Sequence, residues 1–166
     1  RLIKRDIMEK LKFKQGTWYE DLQLMPTLPL YTDRIGFSHC ALYHYVQRED
    51  SIMNQKAFKD KYYDIFAVMD DVYSAYQNAG LLPKYEKEIE YLFIIQLQRS
   101  AVLRFCDMKQ NDAKTCLKRI ENIMDSRFPN WKQNPYLKQS GWKFKLICFL
   151  SGMHWYRLIA CLKHMN

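Results

Sequence analysis

Several features are scarce or absent in this sequence of 166 residues. It has five glycines, five prolines and no low-complexity segment, whereas 48% of its residues are hydrophobic and 15% are aromatic. Disordered chains have the opposite composition, because they cannot bury enough apolar surface to offset the loss of chain entropy. No apolar run reaches the ~20 residues that a membrane-spanning helix needs. The composition therefore predicts a folded, mostly helical chain, long enough for one ordinary domain or for parts of two.

Sequence patterns typical of metal sites are also missing. The five cysteines are odd in number, widely scattered and never arranged as pairs at zinc-finger spacing. Three lie in apolar runs, where a thiol packs as a small hydrophobe, and this usage favours a reduced, cytosolic setting. The pairs Cys161–His164 and His39–Cys40 supply too few ligands to predict a metal site. No two aspartates are separated by a single residue.

Negative charge is absent from the last quarter of the chain. The net charge is +8, and seven lysines and arginines but no acidic residue follow Asp125. Cations interleaved with aromatic rings suit the anionic head groups of a membrane surface, but they also suit a solvated basic face on a helix whose rings pack inside. The sequence leaves both interpretations open. A nucleic-acid partner is not expected, because no arginine cluster or known binding motif accompanies the charge. The aromatic residues in this stretch include Trp131, Tyr136, Trp142, Phe144, Phe149, Trp155 and Tyr156.

Apolar periodicity predicts most of the secondary structure. The prolines are expected to shorten or distort any helix in the segment 22–30. Gly80 is expected to end the helix that begins near Lys56. Two short strands are predicted at Leu2–Ile3 and at 41–45. The predicted helices are 7–11, 22–30, 56–80, 85–107, 112–125 and 142–162, the last with a kink at Ser151–Gly152.

Two adjacent carboxylates, Glu20 and Asp21, follow Trp18 and Tyr19 at the head of an apolar segment. A carboxylate in such a place can take a proton from a hydroxyl. It can equally stabilise the start of a helix through the helix dipole. The residues alone do not decide between these two roles.

A second polar motif follows these carboxylates. Arg48 lies 27 residues after Asp21, and Ser51 lies three residues further on. Arginine and serine can hold a diphosphate or a sugar. Arg48 could instead pair with Glu49 or Asp50 on a surface loop, where an ion pair contributes little.

In this order and spacing, the two motifs resemble the closing stretch of a family 2 glycosyltransferase catalytic domain, of the kind that builds bacterial surface and capsular polysaccharides. The resemblance covers residues 1 to about 54 well and the helical tail more loosely. It implies that Asp21 is the catalytic base, and that Glu20 orients or binds the acceptor. It further implies substrate-binding roles for Arg48, Ser51 and Trp18. The sequence departs from the family pattern at Ala41, His44 and Val46, so no role is transferred to these positions.

The resemblance also implies a fold and a reaction. We expect a mainly α chain, with a short α/β remnant of a GT-A catalytic domain over residues 1–54 and a three- to four-helix bundle over residues 55–166. The reaction would be inverting transfer of a sugar from a nucleotide-sugar donor to a saccharide or lipid-linked acceptor. The family's divalent metal, Mg²⁺ or Mn²⁺, would have its ligands outside this chain.

Two further expectations concern the protein as a whole. We expect roughly one hundred or more residues of nucleotide-binding α/β domain before Arg1, so this chain alone should be inactive. The expected location is the cytoplasm, with peripheral contact to the inner leaflet of the cell membrane. The alternative to an enzyme is a non-catalytic basic helical module that binds a membrane surface or another protein.

Overall fold

A computed structural model describes residues 2–41, 43–44, 46, 60–106, 108 and 111–164. The chain divides into two compact units, Arg1–Gly80 and Leu81–Asn166. Over the described ranges the structure is helical and contains no strand, which confirms the mainly α class. Leu2 and Ile3 are irregular, as are Ala41 and His44, because none of the described segments offers them a pairing strand. The two predicted strands are therefore not observed there, and the α/β remnant stays a prediction.

The first unit is built from three helices in its described parts, α1 (Arg5–Lys10), α2 (Glu20–Thr27) and α3 (Asp64–Asn78). A 3₁₀ turn at Leu28–Leu30 follows α2, and another at Asp60–Tyr63 precedes α3. The predicted shortening of the segment 22–30 is thus confirmed. Gly80 follows α3 at φ +67° and donates its backbone N–H to the carbonyl of Gln77 at 3.0 Å, as a C-terminal cap does.

The boundary between the units differs from the predicted one. The predicted boundary near Asn54 lies outside the described residues, and the structure divides the chain after Gly80. The reason is that α3 packs against α2. The Tyr76 hydroxyl donates to the carbonyl of Pro26 at 2.8 Å, and the Gln23 amide donates to Asp71 at 2.8 Å. The helix expected to open the C-terminal bundle therefore belongs to the first unit.

The second unit begins with one long helical run. It comprises α4 (Glu86–Phe93), a π-helical stretch (Ile94–Ala101) and α5 (Val102–Phe105). The remaining helices are α6 (Asn111–Arg127), α7 (Pro135–Gln139), α8 (Trp142–Gly152) and α9 (Tyr156–His164), with a 3₁₀ turn at Trp131–Gln133. The long run and α6 match the predicted helices. No helix in the described part of the chain has both the length and the apolar character to cross a membrane.

Two buried polar side chains join α4 to α7. Glu90 is 2% exposed and Asn134 is 1% exposed. The Asn134 amide donates to the Glu90 carboxylate at 2.7 Å and to the carbonyl of Lys87 at 2.9 Å, and the Lys87 ammonium lies 3.2 Å from the same carboxylate. The Asn134 side-chain oxygen also caps α7 by accepting the backbone N–H of Tyr136 at 2.9 Å. One asparagine thus holds two helices together.

The predicted single helix over 142–162 is two helices, α8 and α9. The break lies at Met153–Trp155, directly after the predicted kink at Ser151–Gly152, with His154 in the left-handed conformation at φ 59°. Glu121 of α6 holds this turn by accepting the Tyr156 hydroxyl at 2.8 Å and lying 2.7 Å from His154 Nδ1. Partial burial raises the pKa of Glu121, but hydrogen bonds from Tyr156, Lys118 and His154 outweigh burial, so the pKa is lowered overall. The helix thus ends where the kink was predicted, and the Glu121 contacts hold the turn that follows.

Candidate catalytic carboxylates at the start of α2

The turn before α2 places the two carboxylates. Tyr19 adopts the left-handed conformation, with φ 64° and ψ 31°, which is uncommon for a residue other than glycine, asparagine or aspartate. The chain therefore turns sharply at Tyr19, and α2 begins at the next residue. Glu20 and Asp21 occupy its first turn, and both are exposed.

Contacts from the start of α3 hold this turn. The backbone N–H of Trp18 donates to the Asp64 carboxylate at 2.8 Å. The half-buried Trp18 ring meets the buried Tyr62 ring edge to face, with the ring centroids 5.3 Å apart. Lys61 donates to the carbonyl of Gly16 and lies 3.8 Å from Asp64. These bonds fix the chain on the N-terminal side of Tyr19.

α2 is held along its length as well as at its start. Leu24 is buried with Ile7 and Leu11 in a small core. Asp71 of α3 accepts the Gln23 amide at 2.8 Å, and the Lys14 ammonium lies 3.5 Å from the same carboxylate. The carboxylates therefore stand on a helix that is supported at its start and along its length.

The two carboxylates are not equivalent. One oxygen of Asp21 accepts the backbone N–H of Leu22 at 2.8 Å, which orients the side chain. A carboxylate has room for several further donors, so Asp21 can also accept a hydroxyl from solvent or substrate. Successive residues of an α-helix point roughly 100° apart, so Glu20 and Asp21 do not reach the same hydroxyl in the same way. The geometry suits one proton acceptor and one neighbouring ligand-binding group.

The structure brings together only part of the expected site. It places Trp18 beside Glu20 and Asp21, with the Trp18 backbone anchored to Asp64. Arg48 and Ser51 lie outside the described residues. Sequence reasoning missed the supporting role of Asp64, because its partner is 46 positions away and neither residue carries a local signal. It also missed the conformation of Tyr19, a residue type that does not favour the left-handed region.

Among the residues with a described placement, no three His, Cys, Asp or Glu side chains are grouped to hold a metal ion. The location of the ligands for the divalent ion that the resemblance implies stays a prediction.

The conformation of Tyr19 yields a stability prediction. Tyr19→Val and Tyr19→Gly both remove the ring, but a β-branched residue is strained at positive φ whereas glycine is not. We expect the free energy of unfolding of Tyr19→Val to be about 2 kcal/mol lower than that of Tyr19→Gly, because a strained backbone residue costs about 1–3 kcal/mol. Urea denaturation followed by circular dichroism measures the difference. Equal stabilities would show that position 19 does not need the left-handed conformation.

Comparisons with known proteins do not assign this site. No family model, no curated protein and no solved structure matches the chain.

Proposed function

We propose that this chain supplies the acceptor side of an inverting glycosyltransferase, in which Asp21 is the catalytic base and Glu20 orients or binds the acceptor. The observation that supports the proposal best is the presentation of both carboxylates to solvent by the left-handed Tyr19. A backbone in this conformation costs of order 1–3 kcal/mol, and such residues cluster at active sites. The contacts from α3 keep the turn in place.

The reaction follows from the position of Asp21. The acceptor hydroxyl donates its proton to the Asp21 carboxylate while its oxygen attacks the anomeric carbon of the donor sugar. A carbon–oxygen bond to the acceptor forms as the bond to the nucleoside diphosphate breaks, and the diphosphate leaves with the electron pair. Attack from the face opposite the leaving group inverts the anomeric configuration. Asp21 then returns the proton to solvent.

The remaining candidate residues have binding roles in this proposal. Arg48 and Ser51 would bind the diphosphate or the acceptor, with arginine offering paired N–H donors. Trp18 would form part of the acceptor wall, since its ring is only half-buried. The substrates would be a nucleotide sugar and a saccharide or lipid-linked acceptor of a bacterial surface polysaccharide.

A transfer assay tests the proposal. The full-length protein that carries this chain would be incubated with radiolabelled UDP-, GDP- and dTDP-sugars, Mg²⁺ or Mn²⁺ and bacterial lipid extract. We expect label from one donor to enter a lipid-linked or soluble saccharide, with inverted anomeric configuration by NMR. A folded protein that consumes none of these donors, or that retains the configuration, would contradict the proposal.

A further inference from the structure

An apolar stripe runs along the outside of α8. Trp142 and Phe149 are 68% and 59% exposed, and Leu146 and Met153 are also exposed. Trp142, Leu146 and Phe149 are spaced by four and three residues, so they lie on one face of a helix with 3.6 residues per turn, and Met153 follows in the turn after α8. The buried side chains of α8 are Cys148, Leu150 and Ser151. The helix therefore has apolar groups both towards the core and towards solvent.

α9 and the turn before it extend this apolar surface. Trp155 is 52% exposed and Leu158 is exposed. An apolar groove of ≈ 500 Å³ lies between α8, α9 and α5. Its lining residues are Leu103, Trp142, Lys143, Leu146, Ile147, Leu150, Ile159, Leu162 and Lys163. We call this groove and the exposed apolar residues beside it the docking surface. Those residues are Trp142, Leu146, Phe149, Met153, Trp155 and Leu158.

The charged residues within α8 and α9 are all basic. Lys143 and Lys145 are both exposed. Lys143 follows Trp142 and Lys145 precedes Leu146. Because successive residues of an α-helix point roughly 100° apart, the two lysines project from opposite flanks of the stripe. Arg157 adds an exposed cation in α9. No acidic residue follows Asp125 in the sequence. The Glu121 carboxylate near the α8–α9 turn is already bound to Lys118, His154 and Tyr156.

We propose that the docking surface binds an anionic membrane, with α8 and α9 lying in the plane of the head groups. Tryptophan rings are typical of the boundary between head groups and acyl chains, and lysines that flank an apolar stripe can extend to the phosphates. Each cation close to an anionic leaflet strengthens binding by about fivefold. The groove is apolar along its length and carries lysines in its lining, which matches an acyl chain with an anionic head group.

This inference does not depend on the proposed catalytic function. It concerns the second unit, and it can be tested with the chain itself in the absence of any sugar donor. If both proposals hold, the docking surface would bring the enzyme to the leaflet where a lipid-linked acceptor is presented. Failure of either one leaves the other intact.

Vesicle binding tests the inference. The chain would be sedimented with phosphatidylcholine vesicles, with and without phosphatidylglycerol, from low to high salt. We expect binding that requires phosphatidylglycerol and weakens at least tenfold as salt rises, because counterions screen the lysines. Tryptophan fluorescence should shift to shorter wavelength on binding, since Trp142 and Trp155 are exposed whereas Trp131 is buried.

Two pairs of variants and a matched control identify the surface. Lys143→Glu with Lys145→Glu should weaken binding to anionic vesicles at least tenfold, and Leu146→Ser with Phe149→Ser should do the same. Lys4→Glu with Lys12→Glu makes an equal charge change at exposed positions of the first unit and should leave binding near the wild-type value. Circular dichroism verifies that each variant is folded.

Three outcomes would overturn the inference. One is the absence of binding to anionic vesicles at low salt. Another is binding that is equal on neutral vesicles and unaffected by the lysine changes. The third is self-association without lipid, detected by analytical ultracentrifugation and abolished by Leu146→Ser with Phe149→Ser, while vesicles are ignored. That last result would make the surface an interface between copies of the chain.

Discussion

Replacing Asp21 with asparagine should lower sugar transfer by ~10²-fold or more, the range expected for loss of a catalytic base. Asparagine has nearly the same shape but does not take up a proton at neutral pH. Its side-chain oxygen can still accept the backbone N–H of Leu22, the bond that Asp21 makes at 2.8 Å. The start of α2 should therefore survive the change, and the loss should appear in kcat rather than in donor binding.

The neighbouring carboxylate provides the comparison. Glu20→Gln should lower transfer less than Asp21→Asn does, because a glutamine can still hydrogen-bond an acceptor that Glu20 orients. Asp33→Asn alters an exposed carboxylate elsewhere in the first unit and serves as the matched control, with transfer expected near the wild-type rate. Wild-type turnover in a folded Asp21→Asn protein would remove the assignment of the base.

Asn134→Ala should destabilise the second unit by about 2 kcal/mol or more. The change removes a hydrogen-bond donor from the buried Glu90 carboxylate, and the loss of a partner of a buried polar group costs about 1–3 kcal/mol. It also removes the cap of α7, which alone contributes ~1 kcal/mol. Lys87 remains 3.2 Å from Glu90 and offsets part of the loss, so the lower end of the range is expected. Urea denaturation followed by circular dichroism gives the free energy.

Two further variants test whether the lost contact with Glu90 causes the destabilisation. Asn130→Ala alters an exposed residue at the N-terminus of a 3₁₀ turn, where the side chain makes no capping bond, and should cost little. Glu90→Leu combined with Asn134→Leu should cost less than the two single changes added together, because neither buried partner is then left alone. A loss below 1 kcal/mol for Asn134→Ala, or additive single changes, would show that the pair is not coupled.

Much of the helical framework follows from the sequence because it depends on local periodicity. α3 and α6 carry apolar residues every three or four positions, and their observed bounds lie within a few residues of the predicted ones where the structure describes them. α7 was missed although Asn134–Pro135 is a typical helix start, with a capping side chain followed by proline. The irregularity in 142–162 was predicted at the right place but as a kink within one helix, because the segment is apolar on several sides and periodicity does not indicate two separate helices.

The candidate site was predictable only in its chemistry. The motif order indicates Glu20 and Asp21, but the left-handed Tyr19 and its support by Asp64 depend on contacts across more than forty positions. The basic segment after Asp125 was also only partly predictable. Its sequence did not decide whether its aromatic rings pack in the core or lie on the surface. The structure shows both, with Trp131 buried and Trp142 and Trp155 exposed.

The π-helical stretch at Ile94–Ala101 changes the rotational phase between the two ends of the long helical run. Hydrogen bonds there span five residues instead of four, which accommodates extra chain length within a continuous helix. α4 can therefore direct Glu90 towards α7 while Phe105 of α5 faces the core. A one-residue deletion within 94–101 that restored regular α-helix would turn one end by roughly 100° relative to the other. The number of residues in this stretch is therefore constrained, as the size of a core side chain is. Insertions or deletions there would be tolerated less well than substitutions.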